Sequence, residues 1–513
     1  MAHAPAPSPA LLTDLYQLTM AQAAWKEGRW DTEGVFHLTF RKAPFQGGYT
    51  IAAGLGPVLD LLEAWRFSPE DLAWLATLPN PSGEGSLLDA GFLAALGTER
   101  LSIDVDAVPE GTVVFPHEPL LRVTGKVALC MLLETPLLNL INFQTLIATK
   151  AARICAAARG EPVLEFGLRR AQGPDGALAA SRAAYLGGAA ATSNVLAGRR
   201  YGIPVRGTHA HSWVMLYDDE PAAFAAYARA LPGNVTLLVD TYDTLAGVRH
   251  AIEAGRALRK TGHQLLGIRL DSGDLAWLSI EARKLLDEAG FQDTSILASN
   301  DLDEHLIASL KEQGAQISVW GVGTRLVTGD GESALGGVYK LAAVREPGGP
   351  WQPRIKLSEQ AIKVSTPGIL NVRRFAQPAA QGGLLIADAI YDEQRGAPAP
   401  GLAGIVDPLD PLRHKRIPQG AEFEDLLVPA VRAGAVVYQR PALAESRART
   451  LAQLSRLDFT HKRLLNPHTY PVGLEAGLFA ARAELIRGHR ERTAQDKESS
   501  AGSTANPPDW TTP

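Results

Sequence analysis

Between Pro162 and Val322 the chain alternates apolar runs with amphipathic helical patterns, and this rhythm restricts the fold more than any other feature. The runs are PVLEF (162–166), IPVRG (203–207), VTLLVD (235–240), QLLGIRL (264–270), SILAS (295–299) and QISVWGV (316–322). Between the last four lie DTLAGVRHAIEAGRALRKTG, DLAWLSIEARKLLDEAG and DLDEHLIASLKEQG, each with an apolar face. Strands that are apolar on both faces and separated by helices form a parallel sheet covered by those helices. Six or seven such units in one stretch of ~180 residues predict an α/β barrel.

The flanks read differently. Thr13 or Asp14 is positioned to cap a helix through LYQLTMAQAAWKEG, with Gly28 as its stop. VFHLTFR (Val35–Arg41) reads as a strand, and residues 104–124 as short strands broken by Pro109, Gly111 and Pro116. Leu132 to Ala158 reads as one long buried helix bent after Pro136. Short strands follow Tyr339, and helices return at Ala442–Leu454 and Leu474–Arg487. The organisation expected is an N-terminal α/β sandwich domain (1–130), an α/β barrel (131–345), a C-terminal region partly completing the sandwich, with helices (346–490), and a polar, disordered tail (491–513).

Composition excludes several classes. The 50 Lys+Arg against 55 Asp+Glu leave a formal charge of −5, which argues against a nucleic-acid binder, since phosphate contacts need a basic excess. Cys130 and Cys155 are too few for a disulfide framework or a four-thiolate zinc site. No run of about 20 apolar residues suits a membrane helix, because Glu134, Asn139, Asn142, Gln144 and Lys150 interrupt the most apolar segment. The N-terminal stretch has no Lys or Arg ahead of its apolar part, so it does not read as a secretory signal. A cytoplasmic protein that binds no membrane is expected.

In strand–helix barrels the working side chains gather where strands end, so those ends carry the information. Glu165-Phe166-Gly-Leu-Arg169-Arg170 offers a ring that can stack on a flat ligand and guanidiniums that can pair with phosphate or carboxylate, or a core Phe beside surface arginines. Arg206-Gly-Thr208-His209-Ala-His211-Ser212 places two histidines among hydroxyls, suited to metal ligation or to nucleophilic and acid–base work. Val239-Asp-Thr-Tyr-Asp-Thr244 is explained largely by helix capping. In Ile268-Arg269-Leu-Asp271-Ser-Gly-Asp274, Arg269 can hold a phosphate oxygen. Asp271 can accept from ribose hydroxyls or join Asp274 around Mg²⁺ through water, and Asp274 suits a helix cap. Trp320-Gly321-Val-Gly323-Thr324 follows a late strand, where phosphate is usually held by backbone amides. No dinucleotide fingerprint or GxxxxGK[ST] loop is present, so any ATP must bind without a Walker loop. The inventory fits a phosphorylated ribose and a flat ring.

These residues resemble the nicotinate phosphoribosyltransferase family. The matching stretches are LLTDLYQLTMAQ (11–22), EFGLRRAQGPDG (165–176), GTHAHSWVM (207–215), LLVDTYDTLAGV (237–248), GIRLDSGDLA (267–276), GVGTRLVT (321–328), ALGGVYKL (334–341) and KRLLNPHTYPVGL (462–474), in the family's order. The resemblance implies a type II phosphoribosyltransferase fold, an irregular α/β barrel beside an α/β sandwich, in a homodimer with shared active sites. It implies that nicotinate and 5-phosphoribosyl 1-diphosphate give nicotinate mononucleotide and diphosphate, an entry to NAD. ATP hydrolysis would be coupled through a phosphohistidine and Mg²⁺ would be required, with no side chain assigned as a direct metal ligand.

By motif, His211 is the phosphorylated residue, and His209, at the variable position of Gly-Thr-x-Ala-His-Ser, has no catalytic role. Phe166 and Tyr16 of the partner subunit would sandwich the pyridine ring. Arg169 would bind phosphate or diphosphate, Arg269 and Asp271 the base and ribose, and Gly321, Gly323 and Thr324 the 5′-phosphate. Thr208 joins this binding set. Ser193 aligns with an Asp of the related nicotinamide enzymes; a hydroxyl there donates to nicotinate where a carboxylate would repel it. The competing readings are a nicotinamide-specific enzyme, a sugar-phosphate barrel lyase or isomerase, and a non-catalytic barrel scaffold. The lyase or isomerase would need a Schiff-base Lys or a metal triad, and neither stands at an expected strand end.

Overall fold

A computed structural model describes residues 8–402 and 404–501. Its centre for function is a six-stranded parallel sheet built from the alternating region. The strands are β1 (Val163–Glu165), β2 (Ala191–Thr192), β3 (Thr236–Leu238), β4 (Gly267–Leu270), β5 (Ser295–Ala298) and β6 (Val319–Val322), in the order β2-β1-β6-β5-β4-β3. All five neighbouring pairs are parallel, so the six C-terminal ends face one way. Ile268, Leu270, Ile296, Ala298, Trp320 and Val322 pack with Val248, Ala251, Ala282 and Ile307 of the covering helices into one core.

The expected irregular barrel takes the form here of a parallel sheet with two edge strands, β2 and β3, and among the described residues no ladder joins them. The expected strand at 203–207 is reduced to a single parallel bridge between Thr192 and Val205. Pro204 has no N–H to donate; its carbonyl accepts from Thr192 and the ladder stops at Arg206.

A seven-stranded antiparallel sheet packs its own core from both ends of the sequence. Its order is Gln352–Pro353, Gly337–Arg345, Glu33–Phe40, Leu121–Lys126, Asp104–Ala107, Val428–Arg432 and Ala435–Val436. Six further strands, including Leu370–Ala376, Leu385–Asp392 and Val472–Glu475, make a third sheet.

The first helix, Leu15–Lys26, follows Asp14, but the Asp14 carboxylate accepts from Thr135 rather than capping. The long buried helix is divided at Leu133 into Val127–Leu132 and Glu134–Ala157. Pro136 thus falls in a first turn, where its missing N–H has no intrahelical acceptor to satisfy and no bend is required. The last helix runs Ala476–Ala501, so 491–501 is helical where its composition points to disorder. Glu, Arg, Gln, Lys and Ala there extend a helix already nucleated. The rest of the expected tail, 502–513, lies outside the described residues. No described helix is long and apolar enough to cross a membrane.

A buried charge pair joins the third sheet to the Leu443–Arg456 helix. Arg374 and Asp388 are both fully buried; Arg374 also donates to Gln453 at 2.8 Å, and Tyr470 donates to Asp388 at 3.0 Å. Burial and the neighbouring Asp388 hold the Glu118 carboxyl well above the usual range. Arg374→Met leaves Asp388 uncompensated and should destabilise the fold by about 3–5 kcal/mol, read from urea unfolding midpoints.

Candidate active site

The acids at the strand ends sort into two kinds by their distance from the strand. Asp243, Asp274 and Asp303 each accept from a backbone N–H three residues on, at 2.7, 3.0 and 2.7 Å, and cap the helices Thr244–Lys260, Leu275–Glu288 and Glu304–Glu312. These are N-caps. Asp240 and Asp271, standing directly at the ends of β3 and β4, are not consumed by capping.

Arg269, on β4, is held by three acceptors spread around its guanidinium. Its Nε donates to Ser299 Oγ at 2.8 Å, Nη1 to Thr208 Oγ1 at 3.2 Å and Nη2 to Asp271 Oδ1 at 2.9 Å. Ser299 Oγ also donates to Asp271, tying the arginine and the acid together. The Arg269 guanidinium carbon lies 5.8 Å from the Phe166 ring centroid. Phe166 in turn covers Gly321, where a Cβ would stand 2.9 Å from the ring, so Gly321 is required by packing against this aromatic. A Cβ on Gly323 would stand 3.1 Å from the Phe166 carbonyl. Thr324 opens a short helix, Thr324–Val327, whose first amides lack intrahelical acceptors. Arg325, next in that turn, pairs with Asp303 at 2.7 Å and so fixes the turn against the β5 loop.

His211 completes the cluster. Its Nδ1 is 3.1 Å from Thr241 Oγ1, while Nε2 faces two carboxylates, Asp271 Oδ2 at 3.9 Å and Asp240 Oδ1 at 4.0 Å. The Asp240 side chain is 1% exposed. Its Oδ2 accepts from Asp271 N at 2.8 Å and Ser272 Oγ at 2.6 Å, whereas Oδ1 is buried without a hydrogen-bond partner. An orphaned carboxylate oxygen aimed at an imidazole is an unfinished interaction, of the kind a ligand or ion completes.

Glu165 organises the opposite side. It is buried and accepts from Ser181 Oγ at 2.8 Å, from Thr192 Oγ1 at 2.6 Å and from the Gly167 amide. It therefore fixes the loop carrying Phe166 and the end of β2; its carbonyl also accepts from the Ser193 amide at 2.9 Å.

The structure thus brings together His211, Asp271, Arg269, Thr208, Phe166, Gly321 and Gly323, with Ser193 and Thr324 on adjoining strand ends. Arg169 is exposed in the turn Leu168–Arg170 just after Phe166. Tyr16 is not part of the cluster within one chain: it is 48% exposed on the first helix, and burial and the nearby Glu134 raise its phenol pKa. Asp240, Ser299 and Glu165 were not singled out by residue pattern. The signal for Asp240 was available, since Asp243 alone has the spacing of a cap. A cavity of about 1520 Å³ lies elsewhere, lined by Arg41, Lys42, His117, Lys363, Arg413 and Lys415 among others.

Three family models match the chain: the nicotinate phosphoribosyltransferase N-terminal domain over residues 11–142, the nicotinate phosphoribosyltransferase family over 162–345 and its C-terminal domain over 371–482. A nicotinate phosphoribosyltransferase of Bacillus subtilis is 40% identical over 495 residues, covering 95% of this chain and 97% of the relative. One of Dictyostelium discoideum is 40% identical over 91% of this chain and 87% of its own. The crystal structure of human nicotinic acid phosphoribosyltransferase superposes with a TM-score of 0.79 and 34% identity, covering 92% of this chain and 99% of that one. A nicotinate-nucleotide pyrophosphorylase from Pyrococcus furiosus, at 23% identity and a TM-score of 0.67, shares the fold.

Proposed function

The chain belongs to the nicotinate phosphoribosyltransferase family, and from that premise we propose that its strand-end cluster joins nicotinate to 5-phosphoribosyl 1-diphosphate, releasing diphosphate, with ATP hydrolysis coupled through His211. The observation that carries this reading is the unbroken run of contacts His211–Asp271–Arg269–Phe166–Gly321 across separate strands of one parallel sheet.

The chemistry follows from the charges that develop. Cleavage of the ribose C1–O bond puts positive charge on the sugar ring and negative charge on the departing diphosphate, while the pyridine nitrogen forms the new bond to C1. Arg169 and Arg269 stabilise the anion, and Asp271 accepts from ribose hydroxyls and holds the sugar against the ring. Phe166 gives the pyridine a flat surface, and Tyr16 of the partner subunit covers its other face in a homodimer; Leu12, Leu15 and Met20 leave an apolar face exposed on the Tyr16 segment. The Gly323–Thr324 turn receives the 5′-phosphate.

His211 Nδ1 stands 3.1 Å from Thr241 Oγ1, and in the tautomer that donates from Nδ1 the lone pair is on Nε2. That nitrogen attacks the γ-phosphorus of ATP, the bond to the ADP oxygen breaks, and the phosphoryl group later passes to water. Asp240 and Asp271 stabilise the positive charge the ring gains. Mg²⁺, which would arrive with the diphosphate, fits the oxygen donors present. The unpartnered Asp240 oxygen and Asp271 supply neighbouring hard oxygens, reached through water. When bound, the ion supplies neutralising charge to the leaving group. The cytoplasm is the expected site of action.

Incubation with nicotinate, 5-phosphoribosyl 1-diphosphate, Mg²⁺ and ATP should yield the mononucleotide by mass, at a lower rate without ATP; no product in either case would reject the reading. Ser193 sets the choice of pyridine: Ser193→Asp should raise KM for nicotinate about ten-fold or more, by adding a carboxylate near the substrate's own, and leave KM for the diphosphate sugar within about three-fold.

A further inference from the structure

His209 stands at the variable position of the histidine motif, yet its surroundings are specific. The parallel sheet is open between β2 and β3. On the β2 side the 203–207 segment adds one bridge, and Arg206 donates to the Thr192 carbonyl at 3.0 Å before the chain leaves the ladder. On the β3 side the Leu238 N–H donates not to a carbonyl but to His209 Nε2, at 3.2 Å. His209 Nδ1 lies 3.2 Å from the Ala210 carbonyl, which only an N–H satisfies. The ring is therefore neutral, with its proton on Nδ1 and its acceptor on Nε2. It is 8% exposed, and its centroid lies 5.0 Å from that of Tyr227 and 6.2 Å from that of Phe224, both on the Glu220–Ala230 helix.

We propose that the His209 side chain is a strut across the open edge of the sheet and thereby a positioning residue for His211. The inference rests on the role given to His211 above. His209 and Leu238 each stand two residues before a member of the site, His211 and Asp240 respectively. One hydrogen bond between them therefore fixes the spacing of the loop that brings the imidazole and the strand end that brings the carboxylate. The adjacent Thr208, bonded to Arg269, takes its position from the same anchor. Misplacement of reacting groups by about 1 Å can cost about 10²-fold in rate, so a single such bond has leverage on turnover.

Three substitutions separate this role from simple filling of space. Leucine fills the slot between Tyr227 and Phe224 and accepts nothing. Glutamine carries an oxygen at the reach of Nε2, whereas the asparagine oxygen stops at the reach of Nδ1. Full-length His209→Leu, His209→Asn and His209→Gln proteins are compared with wild type for mononucleotide formation, with and without ATP. Hydrogen exchange is followed at the peptide containing Leu238.

His209→Leu and His209→Asn should lower kcat about ten-fold or more with KM for nicotinate within about three-fold, and exchange at Leu238 should accelerate. His209→Gln should stay within about three-fold of wild type on both measures. Wild-type kcat in the leucine or asparagine protein, a glutamine protein as impaired as either, or fast Leu238 exchange in wild type would overturn the strut. If His209→Leu does not fold, the asparagine–glutamine pair decides. If wild type forms no mononucleotide, the reaction assigned above is what fails, and the exchange pattern alone judges the strut.

Discussion

His211→Asn should remove the stimulation of turnover by ATP and lower ATP-dependent kcat/KM by roughly 10²–10⁴-fold, while folding is unchanged. Asparagine keeps a polar atom at the level of Nδ1, able to meet Thr241 as His211 does at 3.1 Å, and deletes Nε2, the atom facing Asp240 and Asp271. The ATP-independent rate should fall far less, because the groups that bind the sugar and its leaving diphosphate are elsewhere. The acid-labile phosphate formed with γ-labelled ATP should disappear. A protein with full ATP stimulation, or one still labelled, would remove His211 from the coupling step.

Arg269→Lys should cost roughly 10²–10³-fold in kcat/KM although it conserves charge. The guanidinium is held by Ser299, Thr208 and Asp271 through three different nitrogens. A lysine ammonium is one point with free rotation; it cannot meet three partners spread over a plane, and Asp271 and Ser299 would then lose the geometry they share. The loss should appear mainly in kcat, with KM for nicotinate changed less. Near-normal kcat in Arg269→Lys, measured under saturating substrates, would mean that the planar fork is not used.

The parallel core was legible because its strands are apolar on both faces and Asp243, Asp274 and Asp303 cap helices shortly after the strands end. The β4, β5 and β6 positions follow from that pattern to within a few residues. What was not legible has local causes. β2 is two residues long and has no periodicity to detect, while Pro204 stands in a segment whose apolar character suggested a full strand. Closure of a sheet depends on which edge groups find partners, and periodicity carries no such information. The cluster of His211, Arg269, Asp271 and Phe166 was readable from residue types at strand ends. Glu165 was not, because its value lies in three donors brought from other elements, the Gly167 turn, the Gly173–Leu186 helix and β2. Ser299 likewise acquires meaning only once β4 and β5 lie side by side. Tyr16 lies outside the cluster of its own chain, and the stacking proposed for it depends on a second subunit.

The arrangement across the sheet also sets the scale of the site. Gly321 and Asp271 stand on β6 and at the end of β4, separated by β5, so two strand spacings of about 4.8 Å place them about 10 Å apart. The Gly323–Thr324 turn and Asp271 can then hold the two ends of a ribose 5-phosphate, with C1 directed toward the Phe166 face.

The most direct measurement is a crystal structure of the protein with 5-phosphoribosyl 1-diphosphate and Mg²⁺. The 5′-phosphate should lie on the Gly323–Thr324 turn, the ribose hydroxyls on Asp271 and the diphosphate on Arg169 and Arg269. Density for the sugar in the cavity lined by Arg41, Lys42, Lys363, Arg413 and Lys415, with the strand ends empty, would contradict this placement.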